Sequence, residues 1–135
     1  MQKPNVLLIS SWYPSKENPT LGNFVQRHAE AINPFVNLFV VCAVSSNNLE
    51  SEFEIENSII NEVNTTLVYY KKVNSKIPLI SNFIKLKRYR KAYQMAIEST
   101  ENQFDIKKWS ITHCNVTFPA GLIALDLKKK KNIPY

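Results

Sequence analysis

The apolar runs of this chain lack polar alternation, and this feature most constrains the fold. Residues 6–10 (VLLIS) and 36–44 (VNLFVVCAV) are almost wholly apolar, which is typical of strands buried on both faces of a sheet. Leu21, Val25 and His28 then recur at helical spacing and predict an amphipathic helix after the first run. Because parallel neighbouring strands are joined through such crossover helices, the order indicates an α/β domain.

The middle of the chain predicts two further strands and a long helix. FEIE (53–56) and TTLVYYKKV (65–73) alternate as strands, with turns expected near Asn57 and Asn64. A helical pattern then runs from about residue 81 to 99, and its apolar positions predict an inner face made of Phe83, Leu86, Tyr93 and Ile97. The two strands before this helix are expected to form a hairpin-like insert.

The last part of the chain repeats the order of strand and helix. SITHCNV (110–116) is interpreted as another strand, and Thr117 can cap the helix that follows. Lysines fill the last turn of this helix, where they complement its dipole, and Asn132 is expected in a left-handed conformation at its end. We therefore predict one Rossmann-like domain over residues 1–135, with a parallel sheet flanked by helices and a hairpin-like insert.

Length and composition exclude several classes of protein. The 135 residues fit a single domain, and no apolar run approaches the roughly 20 residues that cross a bilayer. The start, MQKPNVLLIS, has no cleavage site of the kind that ends a signal peptide, so we expect a cytoplasmic protein. Cys42 and Cys114 lie in apolar runs, and with the two histidines they form no zinc spacing. No metal is expected.

The basic residues are concentrated in two clusters. The net charge is +6, with KLKRYRK at 85–91 and KKKK at 128–131. This balance suits a phosphate, a nucleic acid or a membrane surface. No nucleic-acid partner is expected, because the cations lie on helix exteriors without interleaved exposed aromatic residues in a sheet, and no nucleic-acid motif is present. The helix face is either only solvated or makes peripheral contact with an anionic inner membrane surface through Lys85, Lys87, Arg88, Arg90 and Lys91.

The chain has only two glycines, and both follow a predicted strand at the start of a helix. Gly22 follows the first strand, and Gly121 follows the strand at 110–116. Open α/β sheets bind ligands at this edge, where free N–H groups favour an anion and a missing Cβ lets it approach the backbone. A tight turn or close helix packing is the alternative role for each glycine. The sequence lacks the glycine motifs of dinucleotide and P-loop sites.

Two segments resemble family 4 glycosyltransferases. SSWYPSKENPTLGNFVQRHAEAI (10–32) resembles the first strand, loop and helix of this family. WSITHCNVTFPAGLIALDLKKKKNIPY (109–135) resembles its D-I-hydrophobic-H-x-[HN] strand and the PAG helix that follows. The resemblance covers nearly the whole chain. It implies a GT-B fold, in which two Rossmann-like domains face each other across a cleft, and a transfer that retains the anomeric configuration without a metal.

The resemblance also implies ligands and roles for the first segment. Gly22 matches the family glycine whose backbone comes near the donor phosphates, so we expect a bulky residue there to impair donor use more than folding. Trp12 and Tyr13 would wall the acceptor pocket, or alternatively anchor the loop by packing. The implied partners are a nucleotide-sugar donor, which is a substrate rather than a cofactor, and a polysaccharide or lipid-linked acceptor.

The second segment departs from the family pattern at two positions. Ser110 stands where the family usually has Asp, a change that is expected to cost little beyond a turn contact. His113 and Asn115 stand where many members have two histidines, the second of them close to the reacting sugar. Asn115 can bind a hydroxyl but cannot act as an acid. His113 is the catalytic candidate, with a purely structural role as the alternative, and Thr117 and Gly121 would line the cleft. His28 lies on the apolar face of its helix and is expected to be a packing residue.

The family's donor motif belongs to a C-terminal domain that the resemblance does not reach. We therefore expect a partial N-terminal, acceptor-side domain over residues 1–135 that lacks the C-terminal donor-binding domain and is inactive alone. The alternative function is a small non-catalytic α/β module that binds a phosphorylated or nucleotide ligand. The two functions differ in whether the site must recognise a sugar.

Overall fold

The computed structural model describes residues 2–135, which form a five-stranded sheet with helices on both faces. The elements in chain order are β1 (Asn5–Ser10), α1 (Asn23–Ile32), β2 (Asn37–Ser46), β3 (Phe53–Ile60), β4 (Val63–Lys71), α2 (Pro78–Gln103), β5 (Ile111–Asn115) and α3 (Ala120–Lys131). The strands lie side by side in the order β3-β4-β2-β1-β5. All neighbouring strands are parallel except β3 and β4, so the predicted Rossmann-like α/β fold is confirmed.

The strand β1 shows why the apolar runs lack alternation. Leu7 and Ile9 belong to the core cluster on the side of α2 and α3. Val6 and Leu8 belong to the opposite cluster, which contains Val25 of α1. Because helices cover both faces of this strand, a polar side chain at any of these positions would be buried without water.

The strands β3 and β4 form a hairpin that differs from the prediction in two ways. Its turn lies at Asn61 and Glu62, which both have positive φ (48° and 68°), the conformation that two-residue hairpin turns favour. The predicted turn near Asn57 is wrong, because Asn57 lies within β3 and accepts a hydrogen bond from Thr66 Oγ1 at 2.9 Å. β4 also pairs in parallel with β2, so only β3 is an addition at the edge of the sheet.

The helix α2 is longer than predicted, with 26 residues. Tyr93 and Ile97 are buried as expected, but the placement of Phe83 on the inner face is wrong, because its side chain is exposed. The hydroxyl of Tyr89 lies 3.3 Å from Ser11 Oγ, just beyond the end of β1, so the turns before Tyr89 extend past the sheet. Within residues 2–135, neither α2 nor any other helix has the length and apolarity needed to cross a membrane.

The two ends of α3 compare differently with the sequence prediction. Asn132 has the predicted left-handed conformation after the last turn (φ 53°). The predicted side-chain cap by Thr117 is wrong, because no side chain caps the start of this helix. Instead the backbone carbonyl of Thr117 accepts the N–H of Gly121 at 2.9 Å. The N–H of Gly121 therefore has a backbone acceptor and needs no hydrogen bond to the Thr117 hydroxyl.

Candidate functional site

The carboxyl ends of β1 and β5 meet at one edge of the sheet, and the candidate site lies there. The two strands pair in parallel, with Ser10 opposite Asn115. Residues 11–22, which we term the β1–α1 loop, leave this edge after β1, and residues 116–119 leave it after β5. Strand pairing thus joins the two segments that carry the sequence motifs at the edge where open α/β sheets bind ligands.

The β1–α1 loop is held by hydrogen bonds to its own backbone. Ser10 Oγ donates to the carbonyl of Trp12 at 2.6 Å, and Asn18 Oδ1 accepts the N–H of Leu21 at 3.2 Å. The N–H of Ser15 donates to the Asn18 carbonyl at 3.2 Å. Short polar side chains that bond nearby backbone groups favour turns over helix or strand. This explains why the strand ends at the loop and the helix starts only after it.

Gly22 joins the loop to α1 in a left-handed conformation, with φ 81°. A Cβ on Gly22 would lie 2.6 Å from the carbonyl carbon and oxygen of Trp12 and 2.7 Å from the nitrogen of Tyr13. These are backbone atoms, which cannot turn aside as a flexible side chain does. A side chain here would therefore meet the chain's own backbone before any ligand, so a cost in folding is expected beside any loss of donor use.

Trp12 and Tyr13 are adjacent in sequence but occupy different environments. Trp12 is 42% exposed and packs edge-to-face on Phe24 of α1, with 6.5 Å between the ring centroids. Tyr13 is 1% exposed and belongs to the core cluster beneath α1, where burial raises the pKa of its hydroxyl. Trp12 and Phe24 thus form an aromatic surface at the carboxyl edge, whereas Tyr13 holds the loop to the core.

A cavity of about 340 Å³ lies beneath the β1–α1 loop, within the size range of small-ligand sites. Its lining includes Ser11, Trp12, Tyr13, Cys42, Tyr70 and Tyr89. Burial raises the pKa of Cys42 to about 12 and also raises the pKa values of Tyr70 and Tyr89, so these groups are neutral at neutral pH. Glu17, which also lines the cavity, accepts a hydrogen bond from Ser46 Oγ at 2.6 Å. The cavity therefore offers neutral hydrogen-bonding groups and one carboxylate.

Sequence reasoning missed several of the lining residues, among them Cys42, Tyr70 and Tyr89. Cys42 lies opposite Ser10 in the sheet, and Tyr70 lies near the carboxyl end of β4. Their place near the ends of adjacent parallel strands is a signal that could have found them. Tyr89 has no comparable signal, because its contact with the loop depends on how α2 crosses the edge of the sheet.

His28 and His113 lie next to each other across α1 and β5. Their ring centroids are 5.5 Å apart, and the rings are tilted by 32°. The His113 side chain is partly exposed; partial desolvation of its ring and, secondly, the charge of His28 lower the pKa of His113. The expected packing of His28 is found only at the surface: its ring contacts His113, but its side chain is exposed, and the buried residues of α1 are Val25 and Ala29. The catalytic candidate therefore has a titratable neighbour.

The chain after His113 carries an unpaired donor and a strained turn. Asn115 lies on the same face of β5 as His113, and its buried Nδ2 has no hydrogen-bond partner within residues 2–135. Val116 follows with φ 77°, which is unfavourable for a β-branched residue. Thr117 is exposed, and Gly121 is half-buried in the first turn of α3. Strain and unpaired polar groups of this kind are common where a ligand completes a site.

The five cations of α2 are not equally free. Arg88 donates from Nη1 to the carbonyl of Lys71 at 2.7 Å, which holds it against the end of β4. Arg90 forms an ion pair with Asp126 of α3 at 3.0 Å. Three cations of this cluster form no ion pair with any residue in the range 2–135, namely Lys85, Lys87 and Lys91.

Comparison with known proteins assigns this chain to no family. The chain matches no protein-family model, and no curated protein or solved structure shows significant similarity to it. Among residues 2–135, no group of three or more His, Cys, Asp or Glu side chains is arranged to hold a metal ion. Within the described residues, what bears on function is therefore the geometry of the carboxyl edge and its cavity.

Replacing His28 by glutamine is expected to raise the pKa of His113. The substitution removes the neighbouring charge and leaves the burial of His113 in place. NMR titration of the His113 ring protons measures the change. An unchanged pKa of His113 in the His28→Gln variant would contradict the charge coupling and leave burial as the cause.

The lowered pKa of His113 also fixes the sign of its effect on stability. Folded His113 binds its proton less tightly than the unfolded chain, so unfolding takes up a proton at pH values between the two pKa values. The contribution of His113 to stability is complete above the ordinary histidine pKa of about 6.5. It is lost as the pH falls through the lowered pKa of His113 in the folded protein. Urea unfolding above and below that pH should show a smaller loss of stability in His113→Gln than in the wild type.

Proposed function

We propose that this chain is the acceptor-side part of a retaining glycosyltransferase, which transfers a sugar from a nucleotide-sugar to a polysaccharide or lipid-linked acceptor. The observation that carries the proposal is the pairing of β1 with β5, which places Ser10 beside Asn115. It joins the segments 10–32 and 109–135 at one ligand-binding edge. Both segments resemble the same enzyme family, and their meeting at this edge supports a shared site.

The chemistry of the cavity supports a carbohydrate ligand. A sugar presents many hydroxyl groups and an apolar ring face, so its site needs neutral donors and acceptors beside an aromatic side chain. The hydroxyls of Ser11 and Tyr89 supply the neutral groups, 3.3 Å apart, and Trp12 supplies the aromatic ring. The contact of Trp12 with Phe24 fixes the orientation of that ring, which lowers the ordering cost on binding.

The site residues take separate roles in this proposal. His113 is the catalytic residue, and its lowered pKa keeps the imidazole neutral near neutral pH, able to donate and accept hydrogen bonds. Asn115 binds a sugar hydroxyl. Gly22 begins α1, whose free N–H groups favour the donor phosphates, and Thr117 and Gly121 line the other side of the cleft. No metal or cofactor has a role, as the family resemblance implies.

The alternative function is a non-catalytic α/β module that binds a phosphorylated or nucleotide ligand. One observation favours it: Asn115 stands where many members of the resembled family have a histidine. An amide binds a hydroxyl but neither carries charge nor acts as an acid. A module would need to recognise phosphate, whereas a transferase must also recognise the sugar.

Ligand titrations followed by backbone amide NMR shifts test the proposal. We expect shifts at residues 11–24 and 113–121 when nucleotide-sugars or oligosaccharides are added to the 135-residue chain. Trp12→Ala should weaken oligosaccharide binding about fivefold to tenfold, because an aromatic contact on the order of 1 kcal/mol is lost. Phe35→Ala is the matched control, because Phe35 is an exposed aromatic residue that follows α1 at the opposite edge of the sheet. The Phe35→Ala variant should bind the oligosaccharide as the wild type does.

The outcomes separate the two functions. Shifts with a nucleotide but with no sugar would favour the module over the transferase. Shifts with neither ligand, or shifts away from the carboxyl edge, would contradict both. We expect no sugar transfer by the chain alone, because a cleft bounded on one side leaves the reaction open to water, and measurable transfer would overturn that expectation.

A further inference from the structure

The first turns of α2 expose large apolar side chains. Leu79 is 84% exposed and Phe83 is 71% exposed, and Ile77 and Ile80 beside them are about half exposed. Residues 78–88 lie beyond the sheet and extend for about 16 Å at 1.5 Å per residue, and Ser81 is the one buried side chain among them. Isolated exposed apolar residues are ordinary, but a cluster of four on one short segment marks an interaction surface.

In the next two turns of α2, the same side of the helix carries lysines. Ile80, Phe83, Lys87 and Lys91 are spaced by three or four residues, so they share one side of the helix. Lys87 and Lys91 form no ion pair with any residue in the range 2–135. We term the residues Leu79, Ile80, Phe83, Lys87 and Lys91 the α2 docking face. It is apolar at the tip of the helix and cationic behind the tip.

A groove between α2 and α3 continues this surface. Its volume is about 520 Å³, and Phe83, Lys87 and Lys91 line it together with Lys130 of α3. Apolar side chains from both helices, Leu86 and Ile123 among them, also line it. The second lysine cluster of the sequence therefore reaches the same surface as the first, and the apolar and cationic groups remain side by side.

We propose that the α2 docking face attaches this protein to the surface of an anionic lipid bilayer. Its apolar side chains enter between the lipid headgroups, and its lysines contact the lipid phosphates. Charge complementarity selects this partner, because the net charge of +6 and the unpaired lysines suit an anionic surface. The exposed Leu79 and Phe83 suit the acyl boundary beneath that surface, whereas the phosphate backbone of a nucleic acid offers them no apolar contact.

Attachment would orient the candidate site toward the membrane. α2 begins at the carboxyl edge of the sheet, and its Tyr89 contacts Ser11 of the β1–α1 loop. Docking of the helix tip would therefore hold the carboxyl edge close to the lipid surface. Membrane attachment itself does not depend on the proposed transferase activity. Delivery of a lipid-linked acceptor to the site rests on that activity.

Co-sedimentation of the 135-residue chain with vesicles tests the docking. The probes are vesicles of phosphatidylcholine alone and of phosphatidylcholine mixed with phosphatidylglycerol, each at low and high salt. We expect strong binding to the anionic vesicles at low salt, weaker binding at high salt and little binding to the neutral vesicles. The salt dependence follows from screening of the lysine–phosphate attraction.

Three variants separate the contributions. Leu79→Ser combined with Phe83→Ser should weaken binding to anionic vesicles at least about tenfold, because two exposed apolar side chains no longer insert. Lys87→Gln combined with Lys91→Gln should weaken it about twentyfold and reduce its salt dependence. Lys85→Gln is the control. Sequence alone groups Lys85 with the membrane-facing cations, but it lies on the other side of the helix from Phe83, about 10 Å away and roughly one screening length. The Lys85→Gln variant should therefore bind vesicles nearly as the wild type does. All substituted positions are exposed, and circular dichroism verifies that each variant is folded.

Several results would overturn the proposal. The first is equal binding to neutral and anionic vesicles, or binding to neither. Another is a serine variant that binds anionic vesicles as the wild type does. A dimer in solution that the serine substitutions dissociate would assign the face to a second copy of the chain. Tight binding of RNA that persists in the serine variant and exceeds vesicle binding would assign the lysines to nucleic acid.

Discussion

Replacing Gly22 by alanine is expected to lower the free energy of unfolding by at least about 2 kcal/mol. A left-handed conformation costs a residue with a Cβ on the order of 1–2 kcal/mol, and Gly22 has φ 81°. The added carbon would also lie 2.6 Å from backbone atoms of Trp12, so the β1–α1 loop must move to make room. Urea denaturation followed by circular dichroism measures the loss.

Gly121→Ala is the matched control within the same chain. A Cβ on Gly121 would meet only the Thr117 Cγ2 atom, at 3.9 Å, which is an ordinary contact. Alanine in a helix is more favourable than glycine by roughly 0.5–1 kcal/mol, so this variant should be as stable as the wild type or slightly more stable. Equal destabilisation by the two substitutions would contradict a special conformational requirement at Gly22.

The Gly22 variant also separates structural from functional roles. If the loop moves, the aromatic surface that Trp12 forms with Phe24 should be disturbed as well. Ligand binding by folded Gly22→Ala should then weaken in step with a change in Trp12 fluorescence. Weakened binding with an unchanged Trp12 environment would instead indicate a direct approach of the ligand to the Gly22 backbone.

The parts of the fold that follow from local sequence were predictable. The run at 6–10 is apolar on both faces, and β1 is covered on both faces by helices. Asn132 tolerates the left-handed conformation that ends α3. In these places the local preference of the residues agrees with their tertiary surroundings, so the sequence pattern alone is sufficient to predict the structure.

The places where prediction failed depend on where the sheet stops. Phe83 and His28 fit a helical apolar pattern, but both side chains are exposed. α1 fully buries only Val25 and Ala29, with Ile32 partly buried beside them, and the first turns of α2 extend beyond the strands. Periodicity shows which residues share a face, but it does not show how far along the helix a neighbour lies against that face.

The candidate site likewise has some features that follow from local sequence and others that depend on tertiary packing. Gly22 could be placed near a ligand position because the ends of parallel strands bind ligands, whereas His113 is singled out only by the family resemblance of its strand. The proximity of His28 to His113, with ring centroids 5.5 Å apart, depends on the crossing of α1 over β5, and the sequence gives no measure of that crossing. Tyr89 reaches the β1–α1 loop for a similar tertiary reason.

The second large effect is expected from Tyr93→Phe, which removes one buried hydroxyl. Tyr93 is fully buried, and its hydroxyl donates to the carbonyl of Ser10, the last residue of β1. Burial raises the pKa of Tyr93 well above its ordinary value, so the hydroxyl keeps its proton and remains a donor. The bond ties α2 to the point where the strand becomes the β1–α1 loop.

Loss of this donor should cost about 2 kcal/mol, because a buried acceptor left without its partner loses 1–3 kcal/mol. Tyr89→Phe is the control, since the Tyr89 hydroxyl pairs at 3.3 Å with Ser11 Oγ, which is part-buried and can bond to water instead, and its loss should cost less than about 1 kcal/mol. Urea denaturation of both variants gives the comparison. A Tyr93→Phe variant no less stable than Tyr89→Phe would show that the Ser10 carbonyl finds another donor, and the rigid attachment of the loop to α2 would then need a different cause.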